Sequence, residues 1–329
     1  MKITCRVKCL ANAAILAIVV CFYGSSAAVT PSNHGENPGN TPLMISAYKG
    51  DTAEMRRMLQ AGADIRQTND YGFNALMFAA GAYPAQPVRP KGSVDAIRLL
   101  IQLGADPNAR THRGMTALMF AVQYGDLKYV ELLLEHGADV NLINVDGESA
   151  LSFAAFKGDP ELVGALLKAH ARPNGYADLN GRTPLLGALA AAPPSLPFSA
   201  RSLRENMDAA LKSAQYHKVT MLLLDGGADV NTRDRNGETS LGLAVEAGSL
   251  PTVRGLLDHG ANVDAPTQLN RTPLIRSVAG GQRGITELLV KRGAKLNARD
   301  ELGKTALGYA LEGTSPAVVE FLRSAGARQ

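Results

Sequence analysis

The side chains of this 329-residue chain that could do chemistry are six histidines, three cysteines and a recurring set of aspartates. Histidines could hold zinc or move protons, but zinc needs a close pair such as His-x3-His, and none occurs. His136 and His259 each precede a glycine that ends an expected helix, where a cation favours the helix terminus. His170 stands in a turn, and His34, His112 and His217 fall in an N-terminal lead-in, at a hairpin tip and at a helix start. Cys5, Cys9 and Cys21 all lie within the first 28 residues, so residues 29–329 carry no thiol for catalysis or for metal. Asp64, Asp106, Asp139 and Asp229 recur once per period, so they read as turn and inter-repeat hydrogen-bonding residues rather than an acid–base pair. No Gly-x-Ser-x-Gly elbow, phosphate-cradling Gly-x-x-x-x-Gly-Lys or dinucleotide Gly-x-Gly-x-x-Gly appears. With no nucleophile, base and orienter, the expectation is a chain that is not an enzyme and needs no cofactor and no metal.

Those residues sit within a strong period. The triplet Gly-Ala-Asp, or a close variant, returns at Gly62, Gly104, Gly137, Gly227, Gly260, Gly293 and Gly326, with His170 in the one gap. Five of the seven intervals are 33 residues, and the others are 42 and 57. Aligned on the triplet, the units share a second signature: Thr41-Pro42-Leu43, Thr183-Pro184-Leu185 and Thr272-Pro273-Leu274, with looser forms at Ala75-Leu76, Ala117-Leu118, Ala150-Leu151, Ser240-Leu241 and Ala306-Leu307. Thr before Pro suits a helix start, because its hydroxyl caps orphan amides and Pro fits the first helical turn. Runs such as Tyr129-Val130-Glu131-Leu132-Leu133-Leu134 present one apolar face at helical spacing, and the glycine that follows suits a left-handed helix end. Each unit is therefore a turn and two short helices. A fixed period of this length predicts a stacked array whose function lies on a surface.

The motifs resemble the ankyrin repeat, whose pattern runs Asp-x-x-Gly-x-Thr-Pro-Leu-His, then a Leu-rich helix and Gly-Ala-Asp. The resemblance implies an all-α repeat solenoid with β-hairpin-like turns and a role in binding protein partners. It covers 39–329 in eight units, near 39–68, 69–110, 111–143, 144–177, 178–233, 234–266, 267–299 and 300–329. The family's His after Thr-Pro-Leu is replaced by Met44, Met77, Met119, Ser152, Leu186, Gly242, Ile275 and Gly308. His170 and Asn270 stand where Gly is usual, and both types tolerate positive φ better than most. Arg57 in the first unit and Arg323 in the last replace apolar residues of the inner units, as capping repeats require. The array therefore reads as capped at both ends.

Residues 1–28 read as a secretory signal peptide: Lys2, Arg6 and Lys8, an apolar run from Leu10 to Tyr23 broken at Asn12, then Gly24-Ser25-Ser26-Ala27-Ala28. Cleavage after Ala28 implies a periplasmic or secreted protein, with 29–38 a flexible lead-in. An uncleaved membrane anchor is the competing reading. Removing three basic residues lowers the formal charge from +4 to +1, which gives no electrostatic case for nucleic acid.

In ankyrin arrays the partner meets the hairpin tips and the outer positions of the first helix of each unit. On this sequence the resemblance carries that role to Tyr48, Tyr71, Phe73, His112, Arg113, Met115, Gln123, Tyr124, Phe156 and Lys157. Asp70, Val145, Asp146, Glu148, Arg182 and Lys49 share these positions. The aromatic members lie in the N-terminal half, and exposed aromatics that a fold does not need are candidate hot spots. Phe78, Phe120 and Phe153, two residues after the Leu, are expected in the core. The stretched intervals place insertions at 83–92, Pro-rich and extended, and at 193–216, where Ser202-Leu203-Arg204-Glu205 is a capping box for a helix running into Leu224. Both are expected to border the third and fourth units. Three readings remain open at this stage: an exported, non-enzymatic binding module serving a periplasmic enzyme or neutralising a toxin; a secreted effector in a host cell; and an enzyme with a site built by the insertions.

Overall fold

The computed structural model describes residues 39–82, 93–175, 178–193, 203–267, 269–313 and 316–328, with no side chains described for 203–207. The leader, the lead-in, the first insertion, the Pro-rich start of the second and its capping-box serine lie outside the described residues. The rest is a succession of short helices taken in consecutive pairs, with no sheet among the described residues. The only β pairings there are the isolated bridges Ile143 with Ser149 and Arg233 with Thr239, which close hairpin-like turns. No helix among them is long and apolar enough to cross a membrane.

The first helices of the pairs are α1 (Pro42–Lys49), α3 (Ala75–Ala79), α5 (Ala117–Tyr124), α7 (Ala150–Lys157), α9 (Pro184–Ala191), α11 (Ser240–Ala247), α13 (Pro273–Ala279) and α15 (Ala306–Gly313). The second helices are α2 (Thr52–Gln60), α4 (Val94–Gln102), α6 (Leu127–Glu135), α8 (Pro160–Lys168), α10 (Leu203–Asp225), α12 (Leu250–Asp258), α14 (Arg283–Lys291) and α16 (Pro316–Ser324). The expected caps form: the hydroxyls of Thr41, Thr183 and Thr272 accept from the amides of Met44, Leu186 and Ile275. His170 and Asn270 take left-handed φ of 64° and 54°, as their place in the period requires.

Helices of 5 to 9 residues are too short to be stable alone, so packing holds them. Each second helix buries a leucine-rich face against its partner and its neighbours; in α6, Val130 and Leu133 are fully buried and Leu132 nearly so. Methionines standing where the family has His are equally buried at Met44, Met77 and Met119. They fill the core where the family carries a polar ring.

Two features differ from expectation. The aspartates of Gly-Ala-Asp act only locally in most units: Asp64, Asp106, Asp139 and Asp229 accept from the amide two residues on, closing their own turn. The asparagine at that second position makes the bond to the next unit. Asn108 donates to Gly137 O (3.1 Å) and accepts from Asp139 N (2.7 Å), and Asn141, Asn174 and Asn231 repeat the clasp. The other lies in α10, which at 23 residues against 9 for α8 and α12 runs into Leu224 and overhangs its neighbours as expected. His217, expected at a helix start, lies well inside α10 with Nδ1 3.2 Å from Thr252 Oγ1. Burial pushes its pKa down, which favours the neutral ring against α12.

Register makes a first test. Leu133→Ala, at a fully buried position, should cost about 2–5 kcal/mol in urea unfolding through the cavity it leaves, whereas His112→Ala at an exposed tip should change stability by less than about 0.5 kcal/mol. Equal losses would contradict the assigned faces.

Candidate functional site

The face that could meet a partner is built from hairpin tips and first helices. Five hairpins open with a polar residue whose side chain accepts from two amides of its own hairpin: Asn69 from Tyr71 and Phe73, Asn144 from Asp146 and Glu148, Asp178 from Asn180 and Arg182, Asp234 from Asn236 and Glu238, Asp300 from Leu302 and Lys304. Tips are also tied to one another by backbone bonds, His112 N to Tyr71 O (3.1 Å), Val145 N to Arg113 O (2.9 Å), Arg235 N to Asn180 O (2.9 Å) and Glu301 N to Leu269 O (3.2 Å). The bonds tie the second tip through to the fourth, the fifth to the sixth and the seventh to the eighth.

The ten expected contact residues divide on this face. Tyr71 (56 % exposed), His112, Arg113, Phe156 (38 %) and Lys157 reach the surface. Arg113 is paired with Asp146 at 2.7 Å. Met115 is a correction: it is only 4 % exposed, and its sulfur accepts from Asn144 Nδ2, because the residue after the tip glycine turns inward beneath the next hairpin. Phe73 occupies the same position and is half-buried, its ring tilted on Phe120 (5.4 Å) and edge-on to Phe78 (6.1 Å). Tyr48, Gln123 and Tyr124 are half-buried.

Tyr124 and Lys157 share a register position and lean back over the helix end of the preceding unit. A Cβ at Gly81 would fall 2.9 Å from the Tyr124 ring, and Lys157 Nζ donates to Gln123 O (3.0 Å) at the end of α5. Tyr216 of α10 continues the pattern: its hydroxyl donates to Phe156 O (2.8 Å), and its ring fills the space a Cβ at Gly158 would need. Lys157 and Tyr216 thus cap carbonyls left without partners where a helix stops. The helical part of the second insertion thus abuts the Phe156 end of α7; the position of residues 83–92 lies outside the described residues.

Sequence reasoning missed two sets of residues. Phe78 is fully buried as expected, but Phe120 and Phe153 are only partly buried and add ring surface beside Phe73 and Phe156. Leu179, Leu269 and Leu302 are tip residues between 53 % and 68 % exposed, and a search of tip positions for aliphatic as well as aromatic side chains would have found them. The row two residues after each Leu reads Ile45, Phe78, Phe120, Phe153, then Gly187, Leu243, Arg276 and Tyr309. Its first half is apolar. In the second half Arg276 clasps Glu238 through two bonds (2.8 and 3.1 Å) and Tyr309 donates to Asp300 (2.6 Å), which Arg271 also approaches at 3.5 Å.

The family model for ankyrin repeats matches the chain in three copies, over residues 10–111, 85–177 and 206–300. The chain belongs to the ankyrin repeat family. No curated protein matches it. Ankyrin repeats are in general protein–protein interaction modules and typically not enzymes. Among the described residues no group of three or more His, Cys, Asp or Glu could hold a metal ion. A shallow depression of ≈ 620 Å³ between α15 and α16 is lined by Ala310, Leu311, Pro316, Val319, Glu320 and Arg323. It lies at the far end of the array from the aromatic surface.

The Tyr216 contact yields a second test. Tyr216→Phe, which keeps the ring and removes the hydroxyl, should lower stability by about 0.5–1.5 kcal/mol, while Phe156→Ala, losing a partly exposed ring, should cost less than a fully buried one, about 1 kcal/mol. Thermal unfolding of both variants decides; a large loss from Phe156→Ala would make that ring a packing residue.

Proposed function

We propose that this ankyrin array is an exported, non-enzymatic module that holds a protein partner in a concave groove. The contact centres on the apolar half of the face, at Phe156 with Phe120, Phe153, Tyr124 and Tyr71 around it. The observation that carries this is Phe156: a large aromatic ring, 38 % exposed, on a helix whose packing it does not complete, in a half of the array that also leaves Phe73, Phe120 and Phe153 half-buried. Large rings that a fold leaves in water are where binding energy concentrates, because their burial by a partner removes much apolar area at little entropy cost. The apolar tips Tyr71, Val145, Leu179, Leu269 and Leu302 extend the surface along the hairpins. A row of apolar tips is less ordinary than scattered ones.

Export rests on the sequence of residues 1–28. The leader's order of basic, apolar and small residues supports cleavage after Ala28, and the absence of cysteine from residues 29–329 suits an oxidising compartment. Serving a periplasmic enzyme as a protective accessory, or neutralising a toxin, are the roles that fit such a module.

Two measurements test the proposal. Intact mass of the protein recovered from a periplasmic fraction should correspond to a chain starting at Val29; recovery of the full-length chain in the cytoplasm would remove the exported role. Crosslinking in that compartment should give a defined adduct that Phe156→Ser abolishes while His259→Gln, at the far end of a second helix, leaves it intact. An adduct equally strong with Phe156→Ser would overturn the aromatic half as the contact.

A further inference from the structure

Along the groove, the residue after a tip glycine, or after Asn270 in the seventh unit, lies against the first helix of the next unit at the residue two after its Leu. Phe73 meets Phe120 there at 5.4 Å, Glu238 meets Arg276 at 2.8 and 3.1 Å, and Arg271 meets the Tyr309 hydroxyl at 3.1 Å. Between the fourth and fifth units the same two positions are Glu148 and Gly187. Glu148 repeats Glu238, but the place from which Arg276 answers it has no side chain.

Neither backbone nor packing calls for that glycine. Gly187 lies inside α9 without a left-handed φ, and an added Cβ would have nothing within 4 Å. Glycine within a helix is destabilising relative to alanine, so the space over Gly187 is kept at a cost the stack does not require. Glu148 in turn is short of a cation. Asn144 Nδ2 donates to its Oε2 at 2.9 Å, and among the described residues it forms no ion pair. The cations around it hold other partners: Arg113 pairs with Asp146 at 2.7 Å, Arg182 with Asp234 at 3.5 Å, and Lys157 donates to Gln123 O at 3.0 Å. Burial, with Asp146 and Asp178, pushes the Glu148 carboxyl up against the pull of Asn144 and Arg113.

The chain itself shows what fills such a place. Arg276 lies across α11, its Nη1 3.0 Å from where a Cβ at Gly242 would stand, and it also reaches Glu246 at 3.4 Å. In the fourth unit the counterparts of Gly242 and Glu246 are Ser152 and Phe156. Ser152 narrows the path by one hydroxyl. A guanidinium following it would meet the Glu148 carboxylate with the exposed Phe156 ring alongside, and a cation near an aromatic face is favourable.

We propose that Glu148, Phe156 and the space over Gly187 form a seat for one arginine side chain, presented by the protein partner where Arg276 stands two units further along. The seat rests on the groove being a partner surface and names the residue at the centre of that contact, a basic side chain set among apolar ones. Arginine suits it better than lysine, because a carboxylate can take the planar fork through both oxygens, as Glu238 takes Arg276.

The test needs no partner. N-acetyl-arginine amide, titrated into the full chain at neutral pH and low salt, should give saturable NMR shifts at Glu148, Ser152, Phe156 and Gly187, with a Kd on the order of 1–10 mM. The uncharged N-acetyl-citrulline amide should give none. Glu148→Gln should weaken the binding at least about tenfold. Gly187→Arg, which supplies the guanidinium from within the chain, should exclude the probe and draw the Glu148 carboxyl titration downward, a shift that a merely tolerated side chain would not bring. Equal shifts from the citrulline compound, binding indifferent to Glu148→Gln, or an unmoved Glu148 titration in Gly187→Arg would each overturn the seat. If the probe binds as described while Phe156→Ser leaves the crosslinked adduct intact, the seat stands and the aromatic contact falls; if the probe does not bind while the adduct still depends on Phe156, the seat falls and the groove reading stands.

Discussion

Every other feature of this molecule depends on stacking. No unit can bury its own leucine face, since helices of 5 to 9 residues supply only about one and a half to two and a half turns, so each pair is stable only when the next lies against it. Apolar burial drives that stacking but has no direction, and the asparagine clasp supplies one. By accepting an amide and donating to a carbonyl of the next unit, Asn108, Asn141, Asn174 and Asn231 fix the register of one pair upon another to hydrogen-bond precision. Asn174 does this across the longest interruption in the period: its partners Gly227 and Asp229 lie 53 and 55 residues on, yet the bonds are 2.7 Å long. The insertion can therefore grow without disturbing the stack.

The fold was legible because a repeat states each instruction several times. A single Thr-Pro-Leu is weak evidence for a helix start, but three of them in one register, with looser forms between, leave no other reading, and the hydroxyl caps lie at those threonines. The face was less legible, since residue type does not tell which way a hairpin residue points. Tyr71 and Phe73 are two residues apart with the same aromatic character, yet one is largely exposed and the other packs on Phe78 and Phe120. Met115 belongs to the inward position and Leu302 to the outward one. Contacts that cross the period were invisible for another reason: Tyr216 meets Phe156 from 60 residues away, through an insertion with no counterpart in the other units.

Interruptions concentrate where the two halves of the face differ. Up to the fourth unit the row after the conserved-register Leu is Ile or Phe; at the fifth it is Gly187, where an added Cβ would meet open space; beyond it come Leu243, Arg276 and Tyr309. Arg276 lies across Gly242, a position where the family has His, and clasps Glu238 there. The sixth unit thus replaces a missing side chain with an ion pair from the seventh. The first three units instead bury methionine at that position, and the fifth and seventh bury Leu186 and Ile275.

That division bears on how the face can work. Charges already paired at short range offer a partner little, because any new bond must first displace the existing one, and a broken half-buried pair leaves a charge without compensation. Ring surface left exposed among the described residues carries no such cost. Energy gained on association should therefore come mainly from the apolar half, while the paired half limits which partners can lie along the whole array, since a sequence with apolar residues throughout would bury the clasped arginines without replacing their bonds. An array with one sticky half and one selective half needs the two held at a definite angle. The packing of α7 against α9 and the overhang of α10 across the end of α7 are the contacts that set it.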